Sequence, residues 1–338
     1  MDDRERAILT AILEHHISTG EPVGSRTLSK VLDLGVSSAT IRNIMADLTE
    51  EGYLDQPYTS AGRVPTDLAY RYYVDALPDA LPLLDDDRER IEEAVRGPAA
   101  SLAIRLSNIS RLLTELTRLT GVVSAPRLNK TRLKLIEFVK LDTHQVYVVL
   151  ITQSNMIYHK IIEVSEDLSQ EFLHSVTRYL NEQFADYRLL EIREQILERL
   201  LQEKEQYDQL LAQAVRLGKK ALEISEDRNL FVEGQHNIVL GFLDTETAQR
   251  LLLVLEERLS IVEILCETMT TPGVSVGIGK ELHHEDLWET ALVSAAYGNG
   301  TTPLGALGVI GPTRMDYPRV IPIIDYTARM LTNTIMQG

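Results

Sequence analysis

Between Ser38 and Glu51 the chain reads SATIRNIMADLTEE, and its polar side chains are spaced to meet a flat hydrogen-bonding edge. At about 100° per residue, a helix here puts Ile41, Ile44, Met45 and Leu48 on one face. Ala39, Asn43, Ala46 and Glu50 gather on the opposite face, flanked by Thr40 and Arg42. Arg and Asn can each pair two atoms with a guanine or adenine edge, and alanines at 39 and 46 let such a helix sit deep in a groove. A surface helix with arbitrary polar residues gives the same pattern, so the flanking elements must decide.

Upstream, Ile8, Ile12, Leu13 and Ile17 form one stripe on a helix over residues 4–19, with Gly20 as its C-cap and Pro22 breaking the continuation. Ser25 is a candidate N-cap for a short helix carrying Arg26, Leu28, Lys30, Val31 and Leu32, closed by a turn at Gly35. Downstream, Tyr53-Leu54 and Val64-Pro65 flank residues 57–63, where Ser60 and Gly62 make a hairpin tip. Helix, turn, helix and hairpin in this order predict a winged helix-turn-helix whose third helix enters a DNA major groove. The hydroxyls of Tyr58, Thr59 and Ser60 and the guanidinium of Arg63 would then reach phosphate or the minor groove. The predicted DNA-facing set is Ser25, Arg26, Lys30, Ser38, Ala39, Thr40, Arg42, Asn43, Tyr58, Thr59, Ser60 and Arg63.

The charge balance restricts how such a surface would work. The formal net charge is -16, and acids outnumber bases even within residues 1–75. A broad nucleic-acid coat or an anionic-membrane binder is excluded, since either needs an extended basic surface. Few phosphate contacts are available, so base readout must supply more of the specificity.

Other chemistry is sparse. His283-His284-Glu285-Asp286 is the one metal-like run, but adjacent histidines point apart on a helix or a strand, so a solvated loop or cap is expected; His15-His16 is read the same way. Gly277-Ile278-Gly279 lacks the third glycine of a dinucleotide fingerprint, and there is no P-loop or Gly-x-Ser-x-Gly. No catalytic residue, cofactor or metal is predicted. The lone Cys266 rules out an intramolecular disulfide and suits a reducing cytoplasm. Met1 runs straight into DDRER, which predicts no signal peptide. Apolar runs such as Val146 to Ile151 fall far short of the roughly 20 residues of a membrane span. The expectation is a cytoplasmic protein with no membrane partner.

At 338 residues, with 44% apolar and 25% charged residues, the chain suits two or three packed domains. Pro78, Pro82 and Asp85 to Asp87 mark a linker, one aspartate capping a helix over about 88–95. Leu102, Leu106, Ile109, Leu113 and Leu116 predict a long amphipathic helix closed by Gly121, packed on its own domain rather than in a coiled coil. Strands are predicted over residues 133–140, 145–151 and 156–164, then a helix over 171–184. Residues 189–228 form a long helical tract that suits either a partner subunit or its own domain. A strand over 231–239, a helix over 246–269, strands over 274–278, 292–297 and 305–310, and a last helix over 316–336 follow. Pro322 should kink that helix or mark its start. The order gives an α+β, sensor-like domain interrupted by a helical insertion.

The stretches TGEPVGSRTLSK, SSATIRNIMADLTEEGYL and PYTSAGRVPTDLAYRYYVD resemble the heat-inducible transcription repressor family HrcA. The resemblance continues through Gly121 to Pro126, Phe231 to Gly234 and Leu307 to Tyr317, nearly the whole chain. It implies a homodimeric repressor: a winged helix over 1–76, a linker over 77–98, a GAF-like domain over 99–164 and 246–338, and an inserted dimerisation domain over 165–245. It further implies binding to the CIRCE inverted repeat upstream of chaperone operons, relief on heat stress, and modulation by the GroE chaperonin. The family usually has histidine where this chain has Tyr58, which keeps a hydroxyl donor at that place. A metabolite-responsive regulator, sensing a small ligand through the GAF-like domain, is the alternative.

Overall fold

The chain forms an N-terminal group of helices with one two-stranded hairpin, a central sheet covered on both faces, and a smaller sheet with its own core. The computed structural model describes residues 1–31, 37–58, 61–78, 80–98, 101–126, 132–153, 157–189, 191–192, 194–195, 217–220, 230–242, 245–257, 259–268, 273–298 and 303–337. Helices α1 (Asp3–Thr19), α2 (Ser25–Val31) and α3 (Ser38–Glu50) precede the hairpin β1 (Leu54–Asp55) and β2 (Val64–Pro65). Then come α4 (Asp67–Asp75), α5 (Asp85–Arg96), α6 (Leu102–Thr117) and β3 (Thr120–Ser124). The smaller sheet holds β4 (Leu133–Lys140), β5 (Gln145–Thr152) and β6 (Ile157–Glu163), followed by α7 (Gln170–Phe184). The chain continues through β7 (Leu230–Glu233), α8 (Gln235–Gly241), α9 (Thr245–Glu256), α10 (Leu259–Thr268) and β8 (Val274–Ile278). It ends with β9 (Thr290–Gly298), β10 (Pro303–Pro312) and α11 (Tyr317–Gln337).

The central sheet is antiparallel, in the order β7-β3-β10-β9-β8. Successive residues alternate between two cores: Val123, Val293, Leu307 and Val309 face α5, α6 and α11, whereas Val122, Leu292, Ala306 and Ile310 face α8, α9 and α10. Burial on both faces explains why β9 and β10 read as near-continuous apolar runs instead of alternating patterns. Glycine permits two close approaches. A Cβ on Gly308 would lie 2.4 Å from the Val293 carbonyl oxygen, and one on Gly121 would lie 2.2 Å from that of Ser110.

The N-terminal helices do not have a core of their own. Ile8, Leu28, Ile41, Leu48 and Tyr70 belong to the same continuous cluster as Tyr317 and Ile323. The three-stranded sheet is separate: Phe138, Val148 and Leu150 pack on Leu173, Val176, Leu180 and Phe184 of α7.

Most elements lie where the pattern places them, and α6 packs on its own domain through Leu106, Ile109 and Leu113. Several readings need correction. Gly24, whose carbonyl accepts the Leu28 N–H, holds the cap position expected for Ser25. The stretch Asp67–Asp75, with no element assigned, is a helix. Arg118, at φ 60°, ends α6, and Gly121 lies inside a strand where its missing side chain admits α6. The strand expected over 231–239 stops at Glu233, because Gly234 turns into α8 at φ 82°. The single helix over 246–269 is two, α9 and α10. Pro322 lies inside α11, which starts at Tyr317. Strands β4 to β6 form a sheet of their own, separate from that of β3. The turn at Gly35, most of the 189–228 tract, and the side chain of Cys266 lie outside the described residues.

A Gly308→Ala substitution tests the close approach of β9 to β10. Overpacking there should cost about 1–3 kcal/mol, lowering the thermal midpoint by several degrees; an unchanged melting curve would show that the sheet relaxes around the added methyl.

Candidate nucleic-acid interface

Helix α3 is fixed at its start by Ser37, whose Oγ accepts the Thr40 N–H at 3.2 Å and lies 3.0 Å from the Thr40 hydroxyl. A serine pair before the apolar stripe is the signal that could have identified this cap. Ile41, Met45 and Leu48 are buried, while Ser38, Ala39, Thr40, Arg42, Asn43, Ala46 and Glu50 are exposed. The face expected to read bases is therefore open to solvent. Its charge is graded along the axis: Arg42 and Asn43 lie in the N-terminal half, and Asp47, Glu50 and Glu51 in the C-terminal half. Only the first half suits a polyanion, which also meets the positive end of the helix dipole there.

Arg26 and Lys30 of α2 are exposed, and Ser25 is half-buried. Tyr58 stands out at 75% exposure. Thr59 and Ser60 lie outside the described residues. Arg63 differs from the expectation of a free phosphate contact. It is half-buried, its Nε donates to Thr49 Oγ1 at 3.0 Å, and its backbone pairs both ways with Val23 at 2.9 and 3.0 Å. It braces the hairpin against α3 and against the connector before α2. Gln56 Nε2 donates to the Ala61 carbonyl at 3.2 Å and holds the other side of the same hairpin. Neither brace shows in sequence spacing, because the partners are five to forty residues apart and meet only after folding.

Helix α4 fastens this module to the central sheet. Arg71 Nε donates to Glu281 Oε1 at 2.9 Å, its Nη2 to Glu281 Oε2 at 2.5 Å and to the Val276 carbonyl at 2.5 Å. Burial works to raise the Glu281 carboxyl, but the Arg71 guanidinium and the Ile278 N–H outweigh it and hold the group below its ordinary range. The Lys280 N–H donates to Asp67 Oδ2 at 3.4 Å. Higher up, the buried Tyr70 ring tilts against Tyr317 at 6.3 Å between centroids, and its hydroxyl lies 2.6 Å from His16 Nδ1. His16, read as solvated, is thus half-buried at a joint between α1, α4 and the turn carrying Arg314. Burial, then the Arg314 and His15 charges, push its pKa down to about 4.

Among the described residues, no cluster of three or more His, Cys, Asp or Glu is placed to hold a metal ion, and no helix is long and apolar enough to cross a membrane.

Comparison with known proteins gives a consistent result. The family described as HrcA protein C terminal domain matches residues 105–321. The chain is 38% identical to a protein of Syntrophobacter fumaroxidans named heat-inducible transcription repressor HrcA, covering 99% of this chain and 97% of that protein. It is 40% identical to the protein of the same name from Geobacter sulfurreducens, covering 99% and 98%. Among solved structures, a hypothetical protein shares the fold at TM-score 0.63 and 22% identity, covering 100% of this chain and 99% of that one.

The depressed His16 pKa has a definite consequence. The unfolded histidine titrates near 6.5 and the folded one near 4, so between these values only the unfolded chain gains the proton. Stability that is complete above pH 6.5 should fall as the pH drops toward 4, by roughly 1–2 kcal/mol once solvent screening is allowed for. His16→Gln should flatten this part of the melting-temperature profile; an unaltered profile would remove His16 as its source.

Proposed function

Because the chain belongs to the HrcA family of heat-inducible transcription repressors, we propose that it represses transcription as a homodimer whose winged helix-turn-helices bind an inverted repeat. The observation that carries this reading is the open face of α3, with Asn43 and Arg42 on a capped helix whose other side is locked in the core. Helices α2 and α3 with the β1–β2 hairpin supply the reading unit. Ser38, Ala39, Thr40, Arg42 and Asn43 face the bases, and Ser25, Arg26, Lys30, Tyr58, Thr59 and Ser60 the backbone. Arg63 contributes first by positioning the wing.

One acidic module binds weakly, so a second half-site on the same duplex face is needed, and two-fold protein symmetry supplies it. The outer face of the three-stranded sheet supports this. Register aligns Leu135 with Ile151 and Ile157, and Val139 with Tyr147 and Ile161, on either side of Glu137, Val149 and His159. Leu135, Val139, Ile157 and Ile161 are 38%, 39%, 57% and 53% exposed. An apolar sheet face of this kind is what a homodimer buries. The separate core of β4 to β6 and α7 supports assigning them to the inserted dimerisation unit and not to the GAF-like domain, which then comprises the five-stranded sheet and its two helix layers. In this reading the winged helix spans residues 1–76, with α4 as the module's last helix, and residues 77–98 connect it to the sheet through helix α5.

The operator proposed from the family resemblance is the CIRCE element of chaperone operons. Relief on heating follows if warming disrupts the dimer or its docked DNA-binding modules, and the GroE chaperonin returns the chain to its active fold. A repressor is a regulator, and no substrate chemistry enters this reading.

Asn43→Ala should cost about 1–3 kcal/mol on the operator and flatten discrimination at one base position; a gel-shift titration with unchanged operator affinity would sink the assignment. For the dimer, Ile161→Glu should shift the sedimenting species from dimer to monomer without changing the helix content, whereas an intact dimer would locate the interface elsewhere.

A further inference from the structure

Three cross-strand rows make up the open face of the three-stranded sheet. Leu135, Ile151 and Ile157 form the first, Glu137, Val149 and His159 the second, and Val139, Tyr147 and Ile161 the third. The two outer rows are apolar. The middle row sets one acid on β4 and one histidine on β6, both exposed, with Val149 between them. Glu163, also exposed, lies beyond these rows at the end of β6.

Glu137 and His159 stand on strands separated by β5, roughly 10 Å apart, so they cannot pair within one sheet. Among the described residues Glu137 has no ion-pair or side-chain hydrogen-bond partner, and His159 has only the Tyr147 ring, at 6.0 Å between centroids. Two copies of this face stacked on each other bring their middle rows together, and the two-fold axis relating them lies between the sheets. If the axis runs nearly along β5, each β4 lies over the partner's β6. Leu135 then meets the partner's Ile157, Val139 the partner's Ile161, and Glu137 the partner's His159. If the axis runs across the strands, apolar residues still meet apolar ones, but Glu137 meets the partner's Glu137. Like charges brought together where water is excluded are strongly disfavoured. The charges therefore choose between two packings that the apolar rows accept equally.

We propose that a second copy of this chain packs on this face about a two-fold axis nearly parallel to β5, joined at its centre by two symmetric contacts, each between Glu137 of one subunit and the partner's His159. A neutral imidazole donates one N–H to the carboxylate and a protonated one adds its charge, so the contact holds in either state. It rests on the homodimer reading and adds to it the orientation of the two subunits.

Sedimentation equilibrium on the full chain tests the pairing. Glu137→Lys and His159→Glu should each weaken the dimer by about tenfold or more, and the double variant, with opposite charges again facing each other, should return to within about threefold of the parent. A double variant no tighter than the singles would overturn the proposal, since a crossed axis sets like charges together again. Should a charge reversal disturb folding, Glu137→Gln and His159→Gln decide instead: losses that simply add in their double variant show no coupling and overturn it equally. Ile161→Glu distinguishes failure of the pairing from failure of the dimer. A monomeric parent, or a dimer untouched by Ile161→Glu, removes this face as the interface and the pairing with it. If Ile161→Glu yields monomer while the double charge reversal restores nothing, only the Glu137–His159 contact falls.

Discussion

The two-armed contact of Arg71 with Glu281 is the constraint from which the rest of the arrangement follows. It fixes α4 to the turn after β8, and the same guanidinium caps an outward carbonyl of the sheet's edge strand. A bidentate pair is directional as well as attractive, so it sets an orientation and not merely a distance. Above it, Tyr70, Tyr317 and His16 continue the joint into the core. Helix α3, the proposed DNA reader, is thereby placed relative to the central sheet. If the chain binds two half-sites as proposed, that placement matters as much as the side chains that would read the bases.

An acidic protein meeting a polyanion needs its charges sorted, and α3 shows the sorting within one helix. Arg42 and Asn43 occupy the end that carries the positive dipole, while Asp47, Glu50 and Glu51 lie at the other. In the proposed complex, acids at the far end would oppose a sliding, sequence-independent grip, and donors at the near end would reward only the correct groove contacts. Arg63, tied to Thr49, holds the hairpin in register with that helix.

The three-stranded sheet satisfies only one of its faces within the chain. Phe138, Val148 and Leu150 are covered by α7, but Leu135, Val139, Ile157 and Ile161 are left open. The five-stranded sheet is the opposite case, closed by helices on both sides. A core complete in itself serves folding, and a face left open is the one the proposed dimer would cover.

What the sequence by itself determined is whatever depends on near neighbours. The apolar stripes of α1, α3, α6 and α7 and the alternation of β4 and β5 are set by residues within a turn or a strand of each other, and the exposed face of α3 follows from them. Tertiary structure decided what depends on distant partners. α4 went unread because its polar face is occupied by Glu281 and Lys280, more than two hundred residues away. Gly121 looked like a helix stop because no local pattern shows that α6 must pack within reach of a Cβ. His16 looked solvated, and Arg63 free, for the same reason: a side chain's environment is made by whatever folds against it, and periodicity records only what lies on the same element.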